Sequence, residues 1–582
     1  MRRDALSAPT RRLTARDGRS QHRAMHDDDR DDGGDGRDAL GRRDLFRLGL
    51  AGAGAVAFGG AALGACRPSR ASTTAQAPGA DVEEATIADL LARMGSGADT
   101  ARSLVAKYRA RIAALDAAGP TLRAVIELDP DAEAQADRLD RERAAGKVRG
   151  PLHGIPLVVK DNIDTGDRLT TTAGSLALAG TRAAQDAPLV ARLRAAGAII
   201  LGKTNLSEWA NFRGHGSSSG WSGRGGQTRN PYALDRSPSG SSSGSAVAAA
   251  ASLCAAAIGT ETDGSITSPA SCTGLVGVKP TLGLVSRTGI IPIAASQDTA
   301  GPMARTVADA AALLAVIAGP DPADASTTAA HPRRPKAPED YLRALDPRAL
   351  EGARLGVPRA GYAGVHRGVD RLVEAALTQL RAQGAVLVDP VDVEAPPGLG
   401  DAELTVLFYE LKAGMAAYLA TRGPELKLRT LADLIAWNRE HAEGELALFG
   451  QELFETAAGQ GGLDDAAYKD AKATCAKVRD VLDGALASHQ LDALVMPTGA
   501  PAWLIDHVNG DAPFGPSATT LPAVAGYPHV TVPAGAYAGL PVGLSFVGGP
   551  FREARLLALA YAFEQATRHR TPPRYLPTAD VA

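Results

Sequence analysis

Residues Ser239 to Pro269 read SGSSSGSAVAAAASLCAAAIGTETDGSITSP. Two small-residue loops, Gly240-Ser241-Ser242-Ser243-Gly244 and Asp263-Gly264-Ser265, flank an Ala-dense connector. Glycine and serine cannot fill a core, but they let backbone N–H groups and hydroxyls crowd around a small polar ligand. Alanine packs closely and has the best helix propensity, so the connector is expected to be one buried helix with a serine loop at each end. Serine alone is a poor nucleophile. The rest of the chain has to supply what activates it.

The chain has 582 residues, 45% hydrophobic and 22% charged, with a formal net charge of −3. That is ordinary globular composition, long enough for a large core, and it offers no electrostatic case for nucleic acid. Cys254, Cys272 and Cys475 are the cysteines of the body; an odd count cannot make a complete disulfide framework. With no CxxC and no His/Cys cluster, neither a structural metal nor a cofactor is expected.

The first 40 residues are charged and poor in apolar side chains, and Met25 is an alternative start. Gly41-Arg42-Arg43-Asp44-Leu45-Phe46-Arg47 precedes an uncharged run from Leu48 to Ala65. This pairing resembles a bacterial twin-arginine export signal, and Leu63-Gly64-Ala65-Cys66 resembles a lipobox. The competing reading is a single membrane anchor, but the many Gly and Ala make the run weakly hydrophobic. The expected organisation is therefore an extension and signal at 1–65, lipidation at Cys66, a tether at 66–82 and one catalytic body at 83–582. The protein is then exported to the periplasm or cell envelope, and its membrane contact is through the lipid alone.

Along the body, helical periodicity alternates with short apolar runs, the grammar of a sheet buried on both faces. Two amphipathic helices are expected between 85 and 116, a highly charged, solvent-facing one at 130–144, and further helices at 187–196, 305–318, 367–383 and 553–567. Strands are expected at 151–159, 198–201, 275–278, 284–286, 290–293, 354–357, 385–388 and 491–496, with a hairpin from 529–533 and 542–547. Residues 401–487 read as helical throughout. The fold class is α/β: one large domain, a mixed central sheet covered by helices on both faces, and a helical excursion at about 401–487.

Gly240-Ser241-Ser242-Ser243-Gly244 fits G-x-S-x-G, as does Gly216-Ser217-Ser218-Ser219-Gly220. A nucleophile elbow needs a strand just before it, and Asp235-Arg236-Ser237-Pro238 is not one. His489, His507 and His529 sit in no informative motif. The combination of Lys160 at a strand end, the loop at 240–244 and Ser265 is far more specific. The chain carries, in order, VVKDNIDT, LGKTNLSEWANF, RSPSGSSSGSAVAAA, GTETDGSITSPAS, GLVGVKPTLGLVS, SQDTAGPMART, AGYPHVTVPAG and GLPVGLSFVGGPFREARLL. These blocks resemble the amidase signature family. GWSGRGGQTRNPYALDRSP and GTETDGSITSPAS are most similar to its peptide-amidase branch, which hydrolyses C-terminal carboxamides of peptides.

The resemblance implies that Ser265 is the nucleophile, Ser241 a bridging serine behind a cis Gly240–Ser241 bond, and Lys160 the base. It also implies an oxyanion hole from the backbone N–H groups of Thr262, Asp263, Gly264 and Ser265. Elementary chemistry supports the set. A free lysine with pKa ~10.4 is protonated at neutral pH, and burial without a carboxylate partner lowers it. The apolar residues before Lys160 suit such burial, provided the adjacent Asp161 points elsewhere. Ser242 and Asp298 are candidate supporting residues, and specificity is expected from the irregular 212–238 segment and the helical region 401–420, with Tyr409 a candidate wall residue.

Ser243, Ser245, Asp263 and Thr267 depart from the commoner family pattern, which bears on subfamily more than activity. The expected function is an exported amidase that converts a carboxamide, of a peptide or a small molecule, to carboxylate and ammonia through an acyl-serine. Two rivals stand beside it. One is an amidotransferase A-type subunit using ammonia from glutamine, and the other is an inactive surface peptide-binding protein.

Overall fold

A computed structural model describes residues 79–335 and 341–581. The signal, Cys66 and most of the tether lie outside the described residues. The described residues begin with a short turn, Ala80–Val82, and two helices, Ile87–Ser96 and Ala101–Arg111. Each is started by a threonine (Thr86, Thr100) whose hydroxyl accepts from the backbone three residues on, a reciprocal capping box.

Thirteen strands follow in chain order: β1 Val125–Leu128, β2 Pro156–Lys160, β3 Ile199–Thr204, β4 Trp221–Ser222, β5 Gly226–Gln227, β6 Ala256–Glu261 and β7 Val276–Lys279 come first. Then come β8 Thr299–Ala304, β9 Arg354–Gly356, β10 Val386–Val388, β11 Ala493–Pro497, β12 His529–Tyr537 and β13 Leu540–Val547. Eleven of them form one sheet in the order β1-β3-β2-β6-β8-β7-β12-β13-β11-β9-β10. β2 pairs in parallel with both β3 and β6, and β9 with both β10 and β11; the remaining pairs are antiparallel. Helices flank this mixed sheet, as the α/β reading requires. β2, β3 and β6 are buried along their whole length, so apolar runs without alternation belong there.

The expectations hold for most elements, the terminal helix Glu553–Thr567 among them. The excursion resolves into helices Leu399–Ala420, Leu431–Glu440, Ala442–Glu445, Glu452–Ala458 and Ala466–Ser488. Three expectations are corrected. The Ala-dense connector is not one helix: Ser243–Ala250 is helical, a turn through Ser252 at φ 53° ends it, and Ala256–Glu261 is a central strand. Alanine is equally at home in a strand squeezed between two others, and the open edges of β2 and β8 override its helix propensity. Residues 284–286 and 290–293 lie outside the named strands, and Ile290 makes an isolated bridge to Ile163. Instead Thr299–Ala304 (TAGPMA) forms β8, despite a Gly and a Pro inside it. Among the described residues no helix is long and apolar enough to cross a membrane.

Candidate active site

Because β2 and β6 run parallel and adjacent, with Val159 beside Ile258, their carboxyl ends open on the same edge of the sheet. Crevices at such strand ends are where open α/β sheets bind ligands. β2 ends in Lys160, and β6 ends in Thr260 and Glu261. The helix Ser243–Ala250 runs back against these strands, so the loop before it, at 240–242, arrives at the same edge.

There the side chains meet. Lys160 Nζ donates to Ser241 Oγ at 2.8 Å, to Thr260 Oγ1 at 2.9 Å and to the Thr260 carbonyl at 3.3 Å. Asn162 Nδ2 donates to the same Thr260 hydroxyl at 3.0 Å. The Gly240–Ser241 peptide bond is cis. Among the described residues no carboxylate lies within ion-pair distance of Lys160. Burial pushes its amine down to about 7, against the weaker pull of the Asp298 and Glu261 carboxylates.

Asp161 does point elsewhere: its carboxylate takes hydrogen bonds from Thr172 and Gly174 N–H and faces Arg224. The exposure rises from 0% at Lys160 through 1% at Ser241 to 9% at Ser265. The lysine is sealed and Ser265 is the most accessible of the three.

The second loop is tied to the first by Ser242, whose N–H donates to the Ser265 carbonyl at 3.1 Å. The Ser242 hydroxyl brackets β6, donating to the Thr260 carbonyl and accepting the Thr260 N–H. It occupies the N-cap position of its helix without a side-chain capping bond, so its work is to dock the loop on the strand. Past β6, the N–H groups of Thr262, Asp263, Gly264 and Ser265 have no protein acceptor among the described residues. Neither does the Ser265 hydroxyl. Four successive free amides beside a serine are the parts of an anion-binding nest. Gly264 takes φ +77°, and a Cβ there would sit 3.1–3.2 Å from Thr519.

Asp298 braces this loop. Its Oδ1 accepts from the Thr262 hydroxyl at 2.6 Å and its Oδ2 from the N–H groups of Ile293 and Ala294 at 2.9 Å. Burial pushes its carboxyl up to about 6. Glu261 holds the other side, accepting from the N–H groups of Ile266 (2.8 Å) and Thr267 (2.9 Å). Neither Thr260 nor Glu261 stood out in the sequence. A strand-end Thr or Glu is unremarkable until its neighbour across the ladder is known.

Tyr409, the candidate wall residue, donates its hydroxyl to Asp465 at 3.2 Å and packs its ring on Tyr468, joining helices Leu399–Ala420 and Ala466–Ser488. His529 is buried in β12, bonded to Ser545, and pushed down to about 3; His507 bonds Gln227. Among the described residues no cluster of His, Cys, Asp and Glu is arranged to hold a metal.

Fold and site together define an α/β protein with a buried lysine and two serine-bearing loops at the carboxyl ends of neighbouring parallel strands. The Amidase family model matches residues 103–557, and the chain belongs to the amidase signature family; it is an amide-hydrolysing enzyme. A relative described as a probable amidase of Arabidopsis thaliana is 40% identical over 505 residues, 85% of this chain and 92% of that one. The A-type component of the glutamyl-tRNA(Gln) amidotransferase of a Roseiflexus species is 38% identical over 85% of this chain and 99% of its own. Among solved structures, native peptide amidase from Stenotrophomonas maltophilia is 54% identical with a TM-score of 0.80, covering 84% of this chain and 99% of that one. Peptide amidase PAM bound to the competitive inhibitor chymostatin gives 54% and 0.81, over 85% and 100%.

Proposed function

We propose that the chain hydrolyses C-terminal carboxamides of peptides with Ser265 as nucleophile, Ser241 as bridging acid and base, and Lys160 as the terminal base. The observation that carries this reading is the buried Lys160 Nζ, 2.8 Å from Ser241 Oγ with no carboxylate partner among the described residues. An amine near 7 is neutral in a large fraction of molecules at physiological pH, so it can accept a proton. Lys160 takes the Ser241 proton while Ser241 takes that of Ser265, and Ser265 Oγ bonds to the carboxamide carbon. The carbonyl electrons move to oxygen, where the amides of 262–265 receive the oxyanion. Collapse breaks the C–N bond, the relay returns the proton to the departing nitrogen, and ammonia leaves. Water then cleaves the acyl-Ser265 ester by the same relay, releasing carboxylate.

The peptide preference is supported by 54% identity to the Stenotrophomonas enzyme across nearly its full length. The test is ammonia release from a dipeptide amide, an aliphatic amide and an aryl amide. The proposal expects the highest kcat/KM on the first, and a clear preference for either of the others overturns it. The similarity to the amidotransferase component sustains a second reading, ammonia transfer from glutamine. Glutamine-dependent transfer activity in a complex with partner proteins would establish it.

We propose also that the enzyme is exported and lipid-anchored at Cys66, a reading supported by Arg42-Arg43 and the Leu63–Cys66 box alone. Cys66→Ser is expected to move the protein from the membrane fraction to the soluble one. Unchanged fractionation removes the anchor.

A further inference from the structure

The second G-x-S-x-G element, Gly216 to Gly220, has no part in the chemistry above, yet its last serine lies against the catalytic loop. A Cβ placed on Gly240 would meet Ser219 Oγ at 3.1 Å and Ser207 Oγ at 2.2 Å, so these two hydroxyls form the back wall of the Gly240–Ser241 peptide. Ser207 also grips the next peptide unit, its N–H donating to the Ser241 carbonyl at 3.1 Å. Ser207 Oγ in turn accepts the Gly220 N–H at 3.0 Å.

Ser219 is 3% exposed and is held from the far side by one carboxylate. Its N–H donates to Asp511 Oδ1 (3.1 Å) and Oδ2 (3.0 Å), and its hydroxyl donates to Oδ2. Asp511 Oδ1 also accepts from Trp503 Nε1 at 2.9 Å. Asn211 Nδ2 completes the set, donating to Ser219 Oγ at 3.0 Å. Asn211 ends three successive left-handed residues, Trp209, Ala210 and Asn211 at φ 48°, 56° and 66°. A backbone held in that region over three non-glycine residues persists only where the surroundings impose it. The carboxylate thus reaches across 292 residues of sequence to fix one serine behind the catalytic loop.

We propose that Asp511 is a positioning residue for catalysis, acting through Ser219 to hold the Gly240–Ser241 peptide where Ser241 Oγ meets Lys160. This rests on Ser241 being the bridging serine. Small misplacements of a reacting group cost about a hundredfold in rate without weakening binding.

The experiment is steady-state hydrolysis of a dipeptide amide by Asp511→Asn, Ser219→Ala and the double variant, with Tm and pH profile recorded. Asn keeps the shape of Asp511 but turns one acceptor into an N–H donor aimed at other donors. A kcat lowered roughly tenfold to a hundredfold is expected, with KM within about threefold of wild type. The acid limb of the pH profile should shift, because displacing Ser241 Oγ takes a hydrogen-bond partner away from Lys160 Nζ. The double variant should be no slower than the worse single one, since both break the same contact.

A folded Asp511→Asn with wild-type kcat, losses that multiply in the double variant, or an effect on KM alone would overturn the proposal. If Asp511→Asn loses its cooperative unfolding transition, Ser219→Ala decides by the same criteria. Ser241→Ala, assayed alongside, separates the two readings. Full activity there removes the relay itself, whereas an inactive Ser241→Ala beside a wild-type-like Asp511→Asn removes only the strap.

Discussion

Lys160 Nζ reaches Ser241 Oγ at 2.8 Å from the end of a fully buried strand, and its other partners are the hydroxyl and carbonyl of Thr260. An ammonium in that position would have no counter-ion at contact among the described residues. The neutral amine is the form that the site favours, and its consequences can be measured.

The first concerns pH. With the Lys160 amine at about 7, protonation below that value removes the base. On a dipeptide amide kcat/KM is expected to fall about tenfold per pH unit on the acid side and level off above about 7. The same shift has a stability consequence. Between about 7 and the ~10.4 of a free lysine, the unfolded chain holds a proton that the folded chain lacks, so the contribution of this group to stability rises with pH across that window and is at its worst below it. Lys160→Met should abolish turnover and keep Tm at or above that of wild type near pH 7. A pH–rate series with thermal melts on both proteins checks both arms.

The second concerns Asp298. Asp298→Asn replaces one acceptor with a donor while the Thr262 hydroxyl and the Ile293 and Ala294 N–H groups all still need an acceptor. Misplacing Thr262 loosens the first of the free amides, and kcat is expected to fall roughly tenfold to a thousandfold. Loss of the carboxylate charge also removes a contribution that raises the Lys160 pKa. The acid limb of the pH profile should therefore move to lower pH. A limb that moves to higher pH would mean that the charge acts on another group.

The third concerns Gly264. Alanine there must adopt φ +77° and press on Thr519. A destabilisation of about 1–3 kcal/mol is expected from the strained backbone, with a larger proportional loss in kcat because the amide run is displaced. Chemical denaturation and steady-state kinetics separate the two effects.

The site was more legible in the sequence than the sheet around it. Lys160, Ser241 and Ser265 are residue types that mean little singly, but their order and spacing among recognisable blocks singled them out, and the structure seats Lys160 on Ser241 and links the two serine loops through Ser242 and Ser265. The strands were harder. Ala256–Glu261 is Ala-rich and Thr299–Ala304 holds Gly and Pro, so local propensity argued against both, and what makes them strands is the presence of partners on either side. Thr260, Glu261, Asn211 and Asp511 were hidden for a related reason. Each matters through a contact with a residue that only the folded chain brings near. Tyr409 sits on the expected helix, its hydroxyl bonded to Asp465.

The most direct measurement is ammonia release from a dipeptide amide by Ser265→Ala beside wild type, both shown to be folded by thermal melts. Loss of at least about a thousandfold in kcat is expected, as when an acylating serine is removed. Release at the wild-type rate would contradict the account at its centre.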